Sequence, residues 1–310
     1  MTVKGPIVEA VDIGNVADAP FARLPNLQRL FQRRASRLKH LAEGHALRPF
    51  LLFMAEIAQA QHEAVQAMPP GTLPLAGDLD LLREHRTAPL DRMTWRRDSS
   101  WRAALAHMLH ALKAAPMPEA AAKARDLVLC MGEGAQEQLA LRVLEGTVRG
   151  EELALASFVA AALQAYWSRM AALLDPASLG PLERQCDCPV CASPPIASLM
   201  PATPSLERTR YLACALCATE WHYVRIKCAN CESTKGIAYQ EIAGAKAHVK
   251  AETCEECKTY TKIFYGERDA EIEPLADDLA SLGLDVLVGD AGWHRANPNP
   301  FLLPGEVVTH

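Results

Sequence analysis

Four Cys-x-x-Cys pairs fall within one stretch of the chain: Cys188/Cys191, Cys214/Cys217, Cys228/Cys231 and Cys254/Cys257. Nine of the ten cysteines lie between positions 186 and 257, so this stretch is organised around metal and not around a large apolar core. Two thiolates separated by two residues can turn toward one ion, and two such turns complete a tetrahedron of sulfur with metal–sulfur bonds of about 2.3 Å. Eight paired cysteines make two such sites. Adding 40 to 188, 191, 214 and 217 returns the other four positions, which marks an internal repeat. Ser193 and Thr219 recur as Ser233 and Thr259 at the same offset.

The simplest reading is two tandem ribbons. One is held by Cys188, Cys191, Cys214 and Cys217, the other by Cys228, Cys231, Cys254 and Cys257, each with 22 residues between its pairs for a short antiparallel hairpin. A crossed pairing stays open, because only 10 residues separate Cys217 from Cys228 and the two middle pairs could share an ion. A thiolate tetrahedron suits zinc and equally a single iron of the rubredoxin kind. Many such knuckles carry glycine just after the second cysteine; here those positions hold Ala192, Ala218, Glu232 and Lys258. Closed four-cysteine sites more commonly hold a fold than react. The competing class is a redox protein whose iron cycles between two oxidation states.

The elements that must position these pairs form an α+β chain. The expected divisions are an N-terminal extension (1–19), an α-helical domain (20–178), a first metal ribbon (179–227), a second metal ribbon (228–268), and a C-terminal helix with an extended tail (269–310). Within the helical bundle, Leu27, Leu30, Phe31, Leu38 and Leu41 share one face. Phe50, Phe53, Ile57, Ala60 and Ala64 make a second, stopped at Pro69-Pro70-Gly71, and Leu105, Met108, Leu109 and Leu112 a third, ended by Pro116. A fourth helix runs from Glu119 past Cys130, with Gly132 and Gly134 set to break it, and the last spans Glu151 to Leu174. Asp175-Pro176 and Gly180-Pro181 mark the boundary. In the ribbons, Trp221, Tyr223 and Arg225 alternate with His222, Val224 and Ile226, and Tyr260, Lys262 and Phe264 alternate with Thr261, Ile263 and Tyr265, both strand patterns. Trp221 and Tyr223 either face a partner or pack on the neighbouring ribbon. Leu275, Leu279, Leu282 and Val286 return to helical spacing, with Asp277, Asp278 and Asp285 on other faces. Asn297-Pro298-Asn299-Pro300-Phe301 is turn-rich.

The 310 residues allow two domains, and a formal charge of -5 with a pI of about 6.1 gives no general attraction for nucleic acid. Ser205 to Lys262 carries nine Lys and Arg against seven Asp and Glu, and a divalent ion in four thiolates adds about -2 per site, leaving the ribbons mildly acidic. Met1 to Ala22 contains Glu9, Asp12 and Asp18 and no apolar signal-peptide core. The run Leu153 to Trp167 is short for a membrane span and contains Gln164. The expectation is a soluble protein of the reducing cytoplasm without membrane insertion, where Cys-x-x-Cys reads as metal or redox chemistry. A thioredoxin motif needs one pair at a strand-to-helix turn, unlike four pairs at a fixed repeat.

Other candidates are weaker. No phosphate loop, dinucleotide fingerprint or H-E-x-x-H motif occurs, and Gly132-Glu133-Gly134 is too short to cradle a phosphate. His62-Glu63 lacks a second histidine at helical offset. Cys130, among Leu127, Val128 and Leu129, reads as a small buried residue. Cys186 is a free thiol near enough to Cys188 to exchange into the first site. Arg29, Arg33, Arg34, Arg37 and Lys39 lie at helical spacings and read as a solvated face, or as a dock for an acidic partner. No nucleophile–base set stands out, so the chain is not expected to be an enzyme.

The helical first half, the four pairs and the closing Ala291-Gly292-Trp293-His294-Arg295-Ala296-Asn297-Pro298-Asn299-Pro300-Phe301-Leu302-Leu303 together resemble FdhE, the formate dehydrogenase accessory protein family, from about residue 20 to the end. The resemblance implies a cytoplasmic bacterial maturation factor that binds the catalytic subunit of respiratory formate dehydrogenase before the folded enzyme is exported. It also implies rubredoxin-like iron binding and partner interaction at Cys188, Cys191, Cys214, Cys217, Cys228, Cys231, Cys254 and Cys257. Two metal ions per chain, iron or zinc, are the expected cofactors; a homodimer is left open.

Overall fold

The computed structural model describes residues 19–302 apart from 70, 204–205, 207–208 and 245–247, so the extension expected at 1–19 falls outside the described residues except for its last member. The helical part comprises α1 (Leu30–Leu41), α2 (Arg48–Ala67), α3 (Ala76–Glu84), α4 (Ser100–Ala111), α5 (Glu119–Cys130), α6 (Glu133–Glu145) and α7 (Glu152–Ala171). In α7 every residue from Phe158 to Ala171 is buried. A helix buried on every side must be surrounded, and α2, α4, α5 and α6 pack on it. Its alanines let these neighbours approach closely, while Phe158 and Trp167 each contribute about 1.5–3 kcal/mol of burial. The Trp167 indole donates to the Leu90 carbonyl at 2.9 Å, and the Trp95 indole to the Tyr166 hydroxyl at 3.0 Å.

α5 ends at Cys130 instead of running past it, stopped where Gly132 and Gly134 threatened a break, and Gly132 precedes α6 as its N-cap. Cys130 is exposed, contrary to its reading as a buried residue. The buried positions of α5 are Ala124 and Val128, and Cys130 stands two residues beyond Val128, about 200° around the helix.

Among the described residues, the strands make one eight-stranded sheet. β2 (Pro195–Met200), β3 (Tyr211–Cys214) and β4 (Glu220–His222) form the first antiparallel ribbon; β5 (Ile237–Gln240), β6 (Val249–Cys254) and β7 (Thr259–Tyr265) form the second at nearly the 40-residue offset. The two fuse where β2 and β7 run parallel, from Ala197 beside Lys262 to Met200 beside Tyr265. β1 (Ala22–Arg23), ahead of the helices, pairs with β4, and β8 (His294–Arg295), in the tail, pairs with β7. Leaving β7, the Gly266 amide donates to the Met200 carbonyl at 2.7 Å. A Cβ at Gly266 would sit 2.7 Å from the Ala202 nitrogen, so the backbones cross where only glycine fits. β4 stops at His222; Trp221 and Tyr223 are buried while Val224 and Ile226 are exposed.

The C-terminal helical stretch is two short helices, α8 (Pro274–Ala280) and α9 (Leu282–Asp290), meeting at Ser281. The period therefore does not carry across: Leu275 and Leu279 are buried, and Val286 is exposed. α8 is capped by the Glu273 carboxylate, which accepts from the Ala276 amide at 2.8 Å. Here the basic run finds its use. Arg34 donates to Glu273 at 3.0 and 3.1 Å, and Arg37 is bidentate on Asp277 and also reaches Asp269 at 2.7 Å. Arg33 donates to the Ile272 carbonyl at 2.8 Å. The expectation of a solvated face is thus overturned for Arg34 and Arg37, which are buried because the acidic surface they match is the first turn of α8 in the same chain.

A second charged set lies under α9. Lys262 and Asp278 are fully buried. The Lys262 ammonium lies 3.2 Å from Asp278 and 2.5 Å from Asp285, and Arg295 reaches both carboxylates at 2.6 Å. Asn299 donates to Asp278 at 3.0 Å and Tyr260 to Asp285 at 2.7 Å. The turn-rich tail is therefore tied down by Arg295 and Asn299, with Phe301 buried behind them. Among the described residues, no helix is long and apolar enough to cross a membrane.

Candidate metal centres

Each Cys-x-x-Cys pair sits on a tight turn, and the four turns share one backbone reversal. The amides of Cys188 and Cys228 donate to the carbonyls of Ser193 and Ser233 at 2.9 and 2.8 Å, and the Cys214 amide donates to Thr219 at 2.9 Å. The residue after the second cysteine then turns back. Ala192, Glu232 and Lys258 donate to the carbonyls of Cys188, Cys228 and Cys254 at 2.9, 3.1 and 2.9 Å. That reversal puts Ala192, Ala218, Glu232 and Lys258 at φ of 53°, 57°, 62° and 56°, the left-handed region. These are the four positions where glycine is common in such knuckles. A non-glycine residue there costs about 1–2 kcal/mol of backbone strain. Ala218→Gly is expected to raise stability by about 0.5–1 kcal/mol, the relieved strain less the extra freedom of glycine in the unfolded chain. Ala218→Val should lower it by about 1–3 kcal/mol. Urea unfolding of the metal-loaded variants measures both.

The eight sulfurs gather into two groups in chain order, Cys188, Cys191, Cys214, Cys217 and Cys228, Cys231, Cys254, Cys257, with the ligand atoms of each group within 4.8 Å of one another. In the first, Sγ–Sγ separations include 3.5 Å for Cys188–Cys217, 3.4 Å for Cys191–Cys214 and 3.6 Å for Cys191–Cys217. In the second, Cys228–Cys257 is 3.8 Å and Cys231–Cys254 is 3.7 Å. A tetrahedron with bonds of about 2.3 Å has edges of about 3.8 Å. The donor set and its spacing therefore fit a thiolate-bound ion, zinc or iron alike.

Hydrogen bonds to sulfur support the charge such a site would carry. The Leu216 and Cys217 amides donate to Cys214 Sγ at 3.3 Å, and the Asn230 amide to Cys228 Sγ at 3.4 Å. The Thr219 hydroxyl lies 3.1 Å from Cys217 Sγ and the Thr259 hydroxyl 3.0 Å from Cys257 Sγ. The serines and threonines repeated at offset 40 thus serve matching places, the serines through their carbonyls and the threonines through their hydroxyls. Burial pushes the Cys188 and Cys217 thiols up. Burial works against ionising Cys257 too, but hydrogen bonds from Thr259, Cys231 and Asn230 outweigh it and bring Cys257 down to about 6.

The surroundings of the two groups differ. All four cysteines of the first are buried and belong to the main hydrophobic core. Both its knuckles are bonded to the helical domain. The Leu90 and Arg92 amides donate to the carbonyls of Val190 and Cys191 at 2.9 Å, the Arg92 guanidinium to the carbonyl of Ala192, and the Gln164 amide to the carbonyl of Ala215 at 2.7 Å. Gln164, a polar blemish in an apolar run when read in sequence, is the hub here. Its oxygen also accepts from Gln61 at 3.1 Å and Arg34 at 3.3 Å.

In the second group Cys231 is exposed and Cys257 half-buried, and none of the four belongs to that core. Tyr223 donates its hydroxyl to the Cys228 carbonyl at 2.9 Å and Trp221 its indole to the Gln185 carbonyl at 3.0 Å, so these aromatics pack within the ribbons. Cys186 is buried outside both groups; its amide donates to Glu232 at 3.1 Å and its sulfur lies 3.7 Å from the Asn230 carbonyl.

Three family models match successive stretches of the chain: FdhE, N-terminal, over residues 19–184; FdhE, central domain, over 187–225; and FdhE, C-terminal domain, over 226–302. A Protein FdhE homolog of Rhizobium meliloti (strain 1021) is 40% identical over 293 residues, covering 94% of this chain and 95% of its own. Another, from Edwardsiella ictaluri (strain 93-146), is 40% identical over 286 residues and covers 91% of each. The crystal structure of the FdhE protein from Pseudomonas aeruginosa matches with a TM-score of 0.81 at 37% identity, over 92% of this chain and 100% of that one.

Proposed function

The chain belongs to the FdhE family, and from that premise we propose that it is an accessory protein for the maturation of formate dehydrogenase. It acts by binding, not by catalysis. Cys188, Cys191, Cys214 and Cys217 hold one metal ion and Cys228, Cys231, Cys254 and Cys257 a second. These ions fix two ribbons that have too little core of their own, and the ribbons with the helical domain present a surface to the catalytic subunit of the enzyme in the cytoplasm. The proposed divisions of labour follow the chain, with a helical domain over 20–178, ribbons over 179–227 and 228–268, and a closing helical and extended segment over 269–310. The observation that carries the reading is the agreement of whole-chain family membership with two four-sulfur clusters of metal-binding dimensions.

A redox reading draws on the exposed cysteine of the second cluster, Cys231, where an electron could enter or leave iron. A reversible visible absorption change on reduction supports it, and a colourless zinc protein with full maturation activity rules it out.

Co-purification tests the proposal. Tagged wild-type protein is expected to capture the formate dehydrogenase catalytic subunit and to contain two metal ions. Cys228→Ser/Cys231→Ser should lose one metal and reduce capture at least about tenfold. Undiminished capture by a variant that has lost its metal removes the ribbons from the docking surface.

A further inference from the structure

We propose that the two metal sites are chemically unequal: the first is a closed structural site, and the second is an exchange site entered at Cys231. The proposal rests on the reading of both clusters as metal sites and goes beyond it. A bound thiolate leaves an ion most readily when an incoming ligand can approach the same face, so access to sulfur sets the rate. In the first cluster no sulfur is open to approach. Its cysteines sit in the main core, and its two knuckles are held on the helical domain through Val190, Cys191 and Ala215. Releasing that ion requires the seam between ribbon and bundle to open first, a sub-global opening costing several kcal/mol.

In the second cluster Cys231 is exposed, and the turn residues beside it, Thr234, Lys235 and Gly236, are exposed as well. The facing knuckle is also at the surface through Glu255, Glu256 and Lys258. Only Cys228 and Cys254 are buried, so this ion is anchored by two sulfurs on its inner side and faces solvent on the other. The incoming group that suits this site is a soft thiolate, from a protein cysteine or a small thiol. As that thiolate forms a bond to the ion, the bond from Cys231 Sγ breaks and Cys231 leaves as thiolate, taking a proton from solvent. No electron changes hands, and the site keeps four sulfur ligands throughout.

The test uses the full-length chain reconstituted with zinc and counted at two ions per chain. A chromogenic chelator, 4-(2-pyridylazo)resorcinol, is added and release is followed with time, while N-ethylmaleimide labelling is mapped by mass spectrometry. The expected result is one equivalent released at least about tenfold faster than the other, with Cys231 labelled alongside Cys257 and the first-site cysteines protected. Cys130, exposed on the helical domain, labels regardless and serves as the reference. Cys231→Ser should hold one ion and show only the slow phase. Release of both ions at one rate, earlier labelling of Cys188, Cys191, Cys214 or Cys217, or a fast phase surviving in Cys231→Ser overturns the proposal. A chain that takes up no zinc overturns the metal reading itself, and the initial count distinguishes the two failures.

Discussion

Asp278→Ala is expected to lower the stability of the metal-loaded protein by about 3–5 kcal/mol. Asp278 is fully buried and its carboxylate faces Arg295, Asn299 and Lys262 at 2.6, 3.0 and 3.2 Å. Its removal leaves Lys262 and Arg295 to share Asp285 alone, one carboxylate for two cations in a site largely closed to water. The cost is that of an uncompensated buried charge, which exceeds the worth of the lost contacts themselves. Asp278→Asn keeps the shape and removes only the charge, so it isolates the electrostatic part. Burial works to raise the Asp278 carboxyl, but Arg295 and Lys262 outweigh it and hold it below the usual carboxylate range. A depressed folded value means stability that is present above the unfolded value of about 3.9 and lost as the pH falls through the folded one. The gap between wild type and Asp278→Asn should therefore be full at pH 7 and shrink below about pH 4. Urea midpoints at the two pH values check this, and a gap unchanged by acid rules out the charge as its source.

Removing both metals should have the larger structural consequence. A structural four-ligand site contributes about 10–16 kcal/mol when its ion binds, and that energy is folding energy. The small apolar cluster beside the second ribbon is shared with α9: Ala251 and Tyr260 of the ribbon pack with Leu284 and Val288 of the helix. On chelation, hydrogen-exchange protection should collapse over β5 to β7 while the centre of α7 keeps its own. The first turns of α1 are expected to lose protection with the ribbons, because Arg34 and Arg37 depend on Glu273 and Asp277 of the C-terminal segment. If the β6–β7 amides stay protected after both ions are gone, the metals do not hold the fold.

The cysteine clusters were legible in sequence because their residue type and spacing are local and repeat at 40. The same is true of the strong helical periods, since α7 declares itself through Phe158, Val159, Leu163, Tyr166 and Met170 at helical spacing. What escaped depends on contacts far apart in the chain. Arg34 and Arg37 look like any solvated face until α8 is laid against them. Asp277 and Asp278 look exposed until their cations are known. Gln164 reads as an interruption of an apolar run, although it bonds the central helix to the first cluster. The period over Leu275 to Val286 hides the break at Ser281, because the apolar spacing runs on in sequence although α9 buries Leu284 and Val288 and exposes Val286. The left-handed φ after each pair was written into the positions, though not into the residue types, which offered no glycine to announce it.

The seam between α1 and α8 has a bearing on how the chain is made. Arg37 and Asp277 are 240 residues apart. At about 5–20 residues per second, a ribosome takes roughly 12–48 s between emitting one and emitting the other. Through that interval α1 can be helical but cannot be seated, since two of its guanidinium groups would be buried without a counter-charge. The N-terminal helix must wait on the nascent chain as a loose end, and synthesis has to pass the last ribbon before the first helix can close the molecule.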